Sequence, residues 1–265
     1  MNTLKNLHQN RYILGELIRK RVTTQYRNSI LGMFWTILNP LLNMLVMWLI
    51  FSQFFERDIN NYPLYLLTGN ILFSCFRNAT DGSLQSLVNN SGLLKRVKID
   101  SYLFPLSTTL SSVVTFSFSM IALIVIMLGM QLFGGQQIFN IRMLAVFLMV
   151  PAFVLFEYGI SLFLSAIYVF CRDIKYIYSV FLTLLHYITP IFYNLDRFDS
   201  SSLAVQVVKL NPLYYFLRFF RDCMYRGWGE YFLQDLLVLY ALGIISVIIG
   251  VVVYKPLKKH FMMYI

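Results

Sequence analysis

No polar stretch of this 265-residue chain is long enough to bury a core of its own, which excludes a soluble domain anywhere along it. Charge is scarce: only 13% of the residues are charged and 58% are hydrophobic, whereas soluble domains carry about 25% charged residues. A cleavable leader is not expected, because the first apolar run starts near residue 30, behind a long polar and basic lead. Cys75, Cys171 and Cys223 are scattered without ligand spacing, as are His8, His186 and His260, so neither a disulfide framework nor a metal site is implied. No G-x-x-x-x-G-K-[ST] loop is present to hold a nucleotide, and neither G-x-S-x-G nor H-E-x-x-H occurs. No cofactor is expected. Carboxylates are almost absent from the apolar runs, Glu157 being the exception. A carrier coupled to protons or sodium needs buried carboxylates along its path, so the energy source is expected outside this chain. Glu157 either pairs with a neighbouring helix or faces a pore. There is no internal repeat and no low-complexity segment.

What is present reads as an all-α polytopic membrane protein. A spanning helix takes about 20 mostly apolar residues, and six stretches qualify, near 31–55, 62–79, 102–132, 143–170, 176–193 and 233–254. The second is the weakest, interrupted by Asn70, Arg77 and Asn78. Before the first run, Ile13, Leu14, Leu17, Ile18 and Val22 fall at helical spacing among Arg11, Arg19, Lys20, Arg21 and Arg27, the pattern of an amphipathic helix on a membrane surface.

The net charge of +10 does not point to nucleic acid, because the cations sit in short clusters beside apolar runs. With the amino end inside, the inner segments hold Lys5, Arg11, Arg19, Lys20, Arg21, Arg27, Lys95, Arg96, Lys98, Arg172, Lys175, Lys255, Lys258 and Lys259. The outer loops hold Arg57, Arg142, Arg197, Lys209, Arg218, Arg221 and Arg226. Six spans with both termini inside satisfy the positive-inside rule.

Two connections are too long for turns. The inner one, 80–101, carries apolar stripes at Leu84, Leu87, Val88 and at Leu93, Leu94, Val97, with Asn89, Asn90, Ser91 and Gly92 breaking the chain between them. A short amphipathic helix below the membrane or a solvated loop fits this pattern. The outer connection, 194–232, contains a stripe of Leu213, Phe216, Leu217 and Phe220 that is too short to span and too apolar for a loop. It predicts a re-entrant or interfacial helix starting at Asn211-Pro212, since Pro suits the first turn. Tyrosines near the expected span ends, Tyr62, Tyr65, Tyr187, Tyr193, Tyr214 and Tyr215, read mostly as interface anchors. Stacking on sugar rings is the alternative use of such aromatics, and sequence does not separate the two.

The segment YRNSILGMFWTILNPLL resembles the opening motif of type-2 ABC transporter permeases that export bacterial cell-surface polysaccharides. The likeness continues through NYPLYLLTGNILFSCF, SLVNNSGLLKRVKIDSYLFPLS, CRDIKYIYSVFLTLLHYITPIFY and NPLYYFLRFFRD, in the expected order over nearly the whole chain. That family exports O-antigen, teichoic acid and capsular glycans. The resemblance implies one transmembrane domain over 1–265, with an interface helix within 1–29, spans 1–5 within 31–193, re-entrant helices within 194–232, a sixth span at 233–254 and a cytoplasmic tail at 255–265. It implies a homodimer in the bacterial inner or plasma membrane, two ATP-binding partner subunits, and a glycan on a polyprenyl pyrophosphate as substrate. Ser91, Gly92, Leu93, Leu94, Lys95 and Arg96 match the coupling helix that meets the ATP-binding subunit, and Arg172 and Asp173 match the second cytoplasmic corner. Candidates for the substrate path are Arg27, which would meet the pyrophosphate or phospholipid headgroups, together with Asn70, Arg77, Glu157 and Tyr193. Asn70 and Arg77 face either the pore or the dimer partner.

A permease for drugs or other small amphiphiles would share this topology. A membrane-embedded glycosyltransferase would use acidic residues of an outer loop, where Asp196 and Asp199 are the only close pair and turn duty explains them. A non-transporting scaffold would need neither ATPase nor glycan.

Overall fold

The computed structural model describes residues 10–26, 29–55, 61–97, 99–134, 141–195, 198–199, 201–226 and 232–264, and helices are the only regular structure among them. Helix α1 (Arg11–Tyr26) half-buries Ile13, Leu14, Leu17, Ile18 and Val22 and leaves Arg11, Arg19 and Lys20 exposed, the amphipathic division its spacing predicts. A single 3-10 turn, Gly32–Phe34, leads into α2 (Trp35–Phe55). Helix α3 (Tyr62–Leu84) starts from Asn61 in the left-handed conformation, φ 58°, which Asn tolerates better than most side chains. Two short helices follow, α4 (Ser86–Asn89) and α5 (Ser91–Arg96). The break between them lies at Asn90; Ser91 and Gly92, expected to help break the chain, instead open α5.

Helix α6 (Leu103–Gly134) is the longest, and α7 (Val146–Phe170) follows a 3-10 turn at Ile141–Ala145. Helix α8 (Ile174–Ile188) stops five residues before the expected end at 193. The cause is Pro190: the residue before a proline is driven out of the helical region, and Thr189 sits at ψ 128°. Helices α9 (Leu203–Leu210) and α10 (Pro212–Arg221) form the short pair expected before the last span, and α10 runs on as a π-helical turn, Asp222–Arg226. Asn211 caps α10 by accepting from the Leu213 N–H at 3.0 Å. Helix α11 (Phe232–Leu257), a 3-10 turn at Lys258–His260 and α12 (Phe261–Tyr264) complete the chain.

Three helical segments are long and apolar enough to cross a bilayer: Leu103–Leu132, Met143–Phe170 and Phe232–Tyr264. Trp35–Ile50 and Ile174–Ile188 are apolar but shorter, and α3 is long but polar. The architecture is that of a multi-pass membrane bundle, with α3 at its centre against α2, α6, α7, α8 and α10. Tyr62, Leu64, Tyr65, Leu66, Leu67 and Ala79 are all 1% exposed or less. The weakest of the expected spans by hydropathy is thus the helix most enclosed by protein, which is where polar side chains are tolerated. Leu45 and Leu49 of α2, Val125 and Leu128 of α6, and Ile245, Ile249 and Val252 of α11 face outward, as lipid-exposed helix faces do.

Helices α7 and α11 pack closely against each other, and small residues permit it. A Cβ at Gly159 would fall inside the backbone of Ser246, and one at Gly250 would fall on the Gly159 carbonyl. The Ser246 hydroxyl donates to the Phe156 carbonyl at 2.8 Å. At the end of the bundle carrying α1, α5 and α12, a second apolar cluster forms around Leu87, Phe104, Leu162, Val169, Tyr254 and Phe261.

Candidate functional site: a polar groove inside the bundle

Asn70, Ser74, Arg77, Asn78 and Asp81 recur at i, i+4, i+7, i+8 and i+11, so they share one face of α3. Thr108, Ser111, Thr115 and Ser119 form the matching face of α6. These faces, with Asn39 and Asn43 of α2, enclose a cavity of about 500 Å³ whose lining includes Asn70, Arg77, Ser119 and His186. A second cavity of about 310 Å³ lies between Arg21, Asp81, Gly82, Thr108, Ser111 and Ser112 and shares Asn78 and Thr115 with the first. Together they make one polar groove leading from α1 into the membrane-spanning bundle.

The hydroxyls of α6 are satisfied by their own helix. Ser111 donates to the Thr108 carbonyl at 2.8 Å and Thr115 to the Ser111 carbonyl at 3.2 Å. The Ser111 and Thr115 hydroxyl oxygens can still accept from a guest. Asn70 Nδ2 and His186 Nδ1 are buried without a hydrogen-bond partner among the described residues. A buried polar group without a partner costs roughly 1–3 kcal/mol, so the lining favours a guest that hydrogen-bonds. Arg77 is exposed to the cavity and supplies its cation. At the α1 end the guanidinium of Arg21 lies so close to Gly82 that a Cβ there would strike it. Burial of that guanidinium pulls its pKa below the ordinary value, and the neighbouring Asp81 carboxylate opposes the shift.

Of the expected path residues, Asn70 and Arg77 line the groove together. Glu157 is fully buried on α7, 3.5 Å from the hydroxyl of Ser112, which itself lines the groove. Its Oε1 has no hydrogen-bond partner among the described residues. Tyr193 lies in the turn after α8, where its hydroxyl donates to the Ile188 carbonyl at 2.9 Å. Arg27 lies outside the described residues.

The expected coupling residues sit on α5 and at the head of α8. Lys95 and Arg96 are exposed, and the position of a Cβ on Gly92 meets no atom within 4 Å. Ser91 is half-buried, and Leu93 and Leu94 pack on the apolar cluster beside Leu87. Val97, expected to share that stripe, is exposed instead. Arg172 and Asp173 are exposed just before α8.

At the opposite end, a lattice of side chains holds the non-helical turn after α8. Arg221, read from sequence as an outer-loop charge, is 3% exposed. Its guanidinium donates to the carbonyls of Pro190 at 2.8 Å, Tyr65 at 3.0 Å and Ile191 at 3.3 Å. It also stacks 3.4 Å from the centre of the Tyr65 ring. Tyr62 and Tyr65, read as interface anchors, are buried; Tyr62 donates to the Phe192 carbonyl at 3.1 Å and Tyr65 to those of Pro190 and Tyr193. Asn211 donates to the Thr189 hydroxyl at 2.8 Å. Helix α10 is therefore tied to the end of α8 and the start of α3. No sequence signal marked Arg221, because its acceptors are backbone carbonyls distant along the chain. The hydroxyl stripe of α6 has helical spacing in the sequence, but hydroxyls that bond their own helix are compatible with any apolar run, so the spacing alone does not mark a site.

The family described as ABC-2 type transporter matches residues 13–225, a stretch that takes in the groove, α5 and the α9–α10 pair. The chain is 28% identical to the O-antigen export system permease protein RfbA of Myxococcus xanthus over 246 residues, 93% of this chain and 91% of that protein. It is 26% identical to an RfbA permease of the same description from Klebsiella pneumoniae over 250 residues, 94% and 93% of the two chains. The capsule polysaccharide export inner-membrane protein CtrC of Neisseria meningitidis matches over 93 residues at 29% identity, 34% of this chain and 35% of that protein.

Proposed function

The chain belongs to the ABC-2 type transporter family, and from that premise we propose that it is the permease half of an exporter for lipid-linked polysaccharide. The relatives matched over nine-tenths of the chain are O-antigen export permeases, which supports a glycan cargo. The observation that carries the reading is the groove. Amide, hydroxyl and guanidinium groups continue from Arg21 to Asn70 along one face of the bundle interior. A sugar chain presents hydroxyls to such a lining, and a diphosphate head favours guanidinium donors.

In this reading the α1 end faces the cytoplasm, both termini lie there, and six helices cross the membrane. Two ATP-binding subunits dock below a homodimer, with Gly92, Lys95 and Arg96 of α5 and the Arg172–Asp173 corner as contacts. Their closure on ATP moves α5, and with it the apolar cluster that joins α5 to α6 and α7. Arg21, Arg77 and Arg27 meet the pyrophosphate at the inner mouth. Asn70, Asn39, Asn43 and the α6 hydroxyls exchange hydrogen bonds with successive sugars.

Depleting the chain in its native cell tests the reading. Polymer stranded on the cytoplasmic side and lost from the surface is the expected result. Unchanged polymer on both sides would refute the glycan assignment. Loss of synthesis without inner accumulation would refute it too, and would point to an enzyme.

A further inference from the structure

The carboxy-terminal tail carries Lys255, Lys258 and Lys259, which sequence reasoning reads as topogenic charge alone. The structure packs this tail into the bundle. Phe261 is 3% exposed, with its ring centre 5.3 Å from that of Tyr254 and 6.1 Å from that of Phe170, and the Tyr264 ring meets Phe170 edge-on at 4.8 Å. Two polar ties add to this: Lys258 Nζ lies 3.3 Å from Asp100 Oδ1, and the Tyr254 hydroxyl donates to Ser101 at 2.9 Å. Leu93 and Leu94 of α5 rest on the same apolar cluster.

Between α5 and the tail opens a cavity of about 380 Å³. Its walls are apolar, with Leu94, Val97, Ile99 and Met262. Among the described residues its lining carries the cations Lys95, Arg96 and Lys258 and one carboxylate, Asp100, which is paired with Lys258. Beside it Met262, Met263 and Tyr264 are 59%, 79% and 56% exposed. Methionine is an adaptable contact residue, and a cationic rim around an apolar floor complements an apolar side chain flanked by carboxylates.

We propose that the tail and α5 jointly form the docking pocket for the ATP-binding subunit, whose inserted segment carries an apolar residue between acidic ones. This rests on the exporter reading and adds the tail to the contact surface. A lipid surface also attracts cations, but it covers a convex face, whereas this site is a concavity walled by two separate elements. The arrangement has a mechanical consequence. A segment seated there pushes on α5 and, through Phe261, Tyr254 and their partners, on α6, α7 and α11 together.

The test places the photocrosslinker p-benzoylphenylalanine at Met262 or, separately, at Gly92 in the full chain co-expressed with its ATP-binding subunit. After illumination of membranes, adducts are identified by mass. Both positions are expected to give an adduct with the ATP-binding subunit. An adduct from Gly92 but not from Met262, or only lipid adducts from Met262, would overturn the inference and leave the exporter reading standing. No adduct from either would overturn the docking reading itself. In addition, Met262→Asp, at an exposed site, is expected to lower recovery of the ATP-binding subunit with the purified permease by about tenfold or more, since it sets a carboxylate against an acidic, apolar partner. Unchanged recovery would count against the pocket.

Discussion

Exchanging Arg221 for methionine is expected to release the carboxy-terminal end of α8 from α3 and α10. The guanidinium makes two good charge-assisted hydrogen bonds, to Pro190 at 2.8 Å and Tyr65 at 3.0 Å, and one long one, to Ile191 at 3.3 Å. Hydrogen bonds to a charged group contribute about 1.5–3 kcal/mol each, and the contact with the Tyr65 ring adds roughly 0.5–2 kcal/mol. Part of the loss is softened, because the Pro190 carbonyl still accepts from the Tyr65 hydroxyl at 3.0 Å. A net destabilisation of about 3–5 kcal/mol follows. In thermal unfolding of the purified permease this corresponds to a fall in Tm of roughly 10 °C, at about 2–4 °C per kcal/mol for a chain of this size. Arg221→Lys should recover little of it, because an ammonium is a single point donor and cannot span three carbonyls with a planar fork. Tyr65→Phe should cost less, about 1 kcal/mol, and the double variant should lose less than the sum, since both side chains bond Pro190. A Met variant within about 0.5 kcal/mol of the parent, or a Lys variant as stable as the parent, would refute the latch.

Gly250→Val should prevent α7 and α11 from packing, since even a Cβ there lands on the Gly159 carbonyl; loss of folded protein by size-exclusion chromatography checks this, and normal recovery would contradict it. Gly82→Val should displace the Arg21 guanidinium from its seat beside Asp81 and reduce surface glycan while the permease is still found in the membrane at its usual amount. Normal surface glycan in that variant would show that the α1 end of the groove is not used. Arg77→Ala, which removes a groove cation, should reduce export by about tenfold or more, the equivalent of one lost charge-assisted bond, with recovery of the ATP-binding subunit unchanged. Export at the parent rate would remove Arg77 from the path.

The legible part of the fold was the part governed by local pattern. The spacing of Ile13, Leu14, Leu17, Ile18 and Val22 anticipated the buried face of α1, and Asn211-Pro212 anticipated the start of α10. Hydropathy located the long helices, and the polar breaks in α3 fit a shielded position, but nothing in the sequence named the helices that surround it. The early end of α8 was written in Pro190, yet the apolar run beyond it masked the signal. The burial of Arg221, Tyr62 and Tyr65 was not legible for a shared reason: each bonds backbone carbonyls far along the chain, and a carbonyl has no side-chain signature. The groove was half legible. Asn70 and Arg77 stood out as polar breaks, whereas the α6 hydroxyls that complete it are compatible with any membrane helix. The tail was opaque, since Phe261 acquires its meaning only from Tyr254 and Phe170.

The most direct test of the central claim uses inverted membrane vesicles holding the permease and its ATP-binding subunit, supplied from outside with labelled glycan on polyprenyl pyrophosphate. ATP should make the label resistant to added glycosidase, and Arg77→Ala should slow the gain of that protection by about tenfold or more while ATP hydrolysis continues. Label that stays fully digestible in vesicles actively hydrolysing ATP would contradict the account.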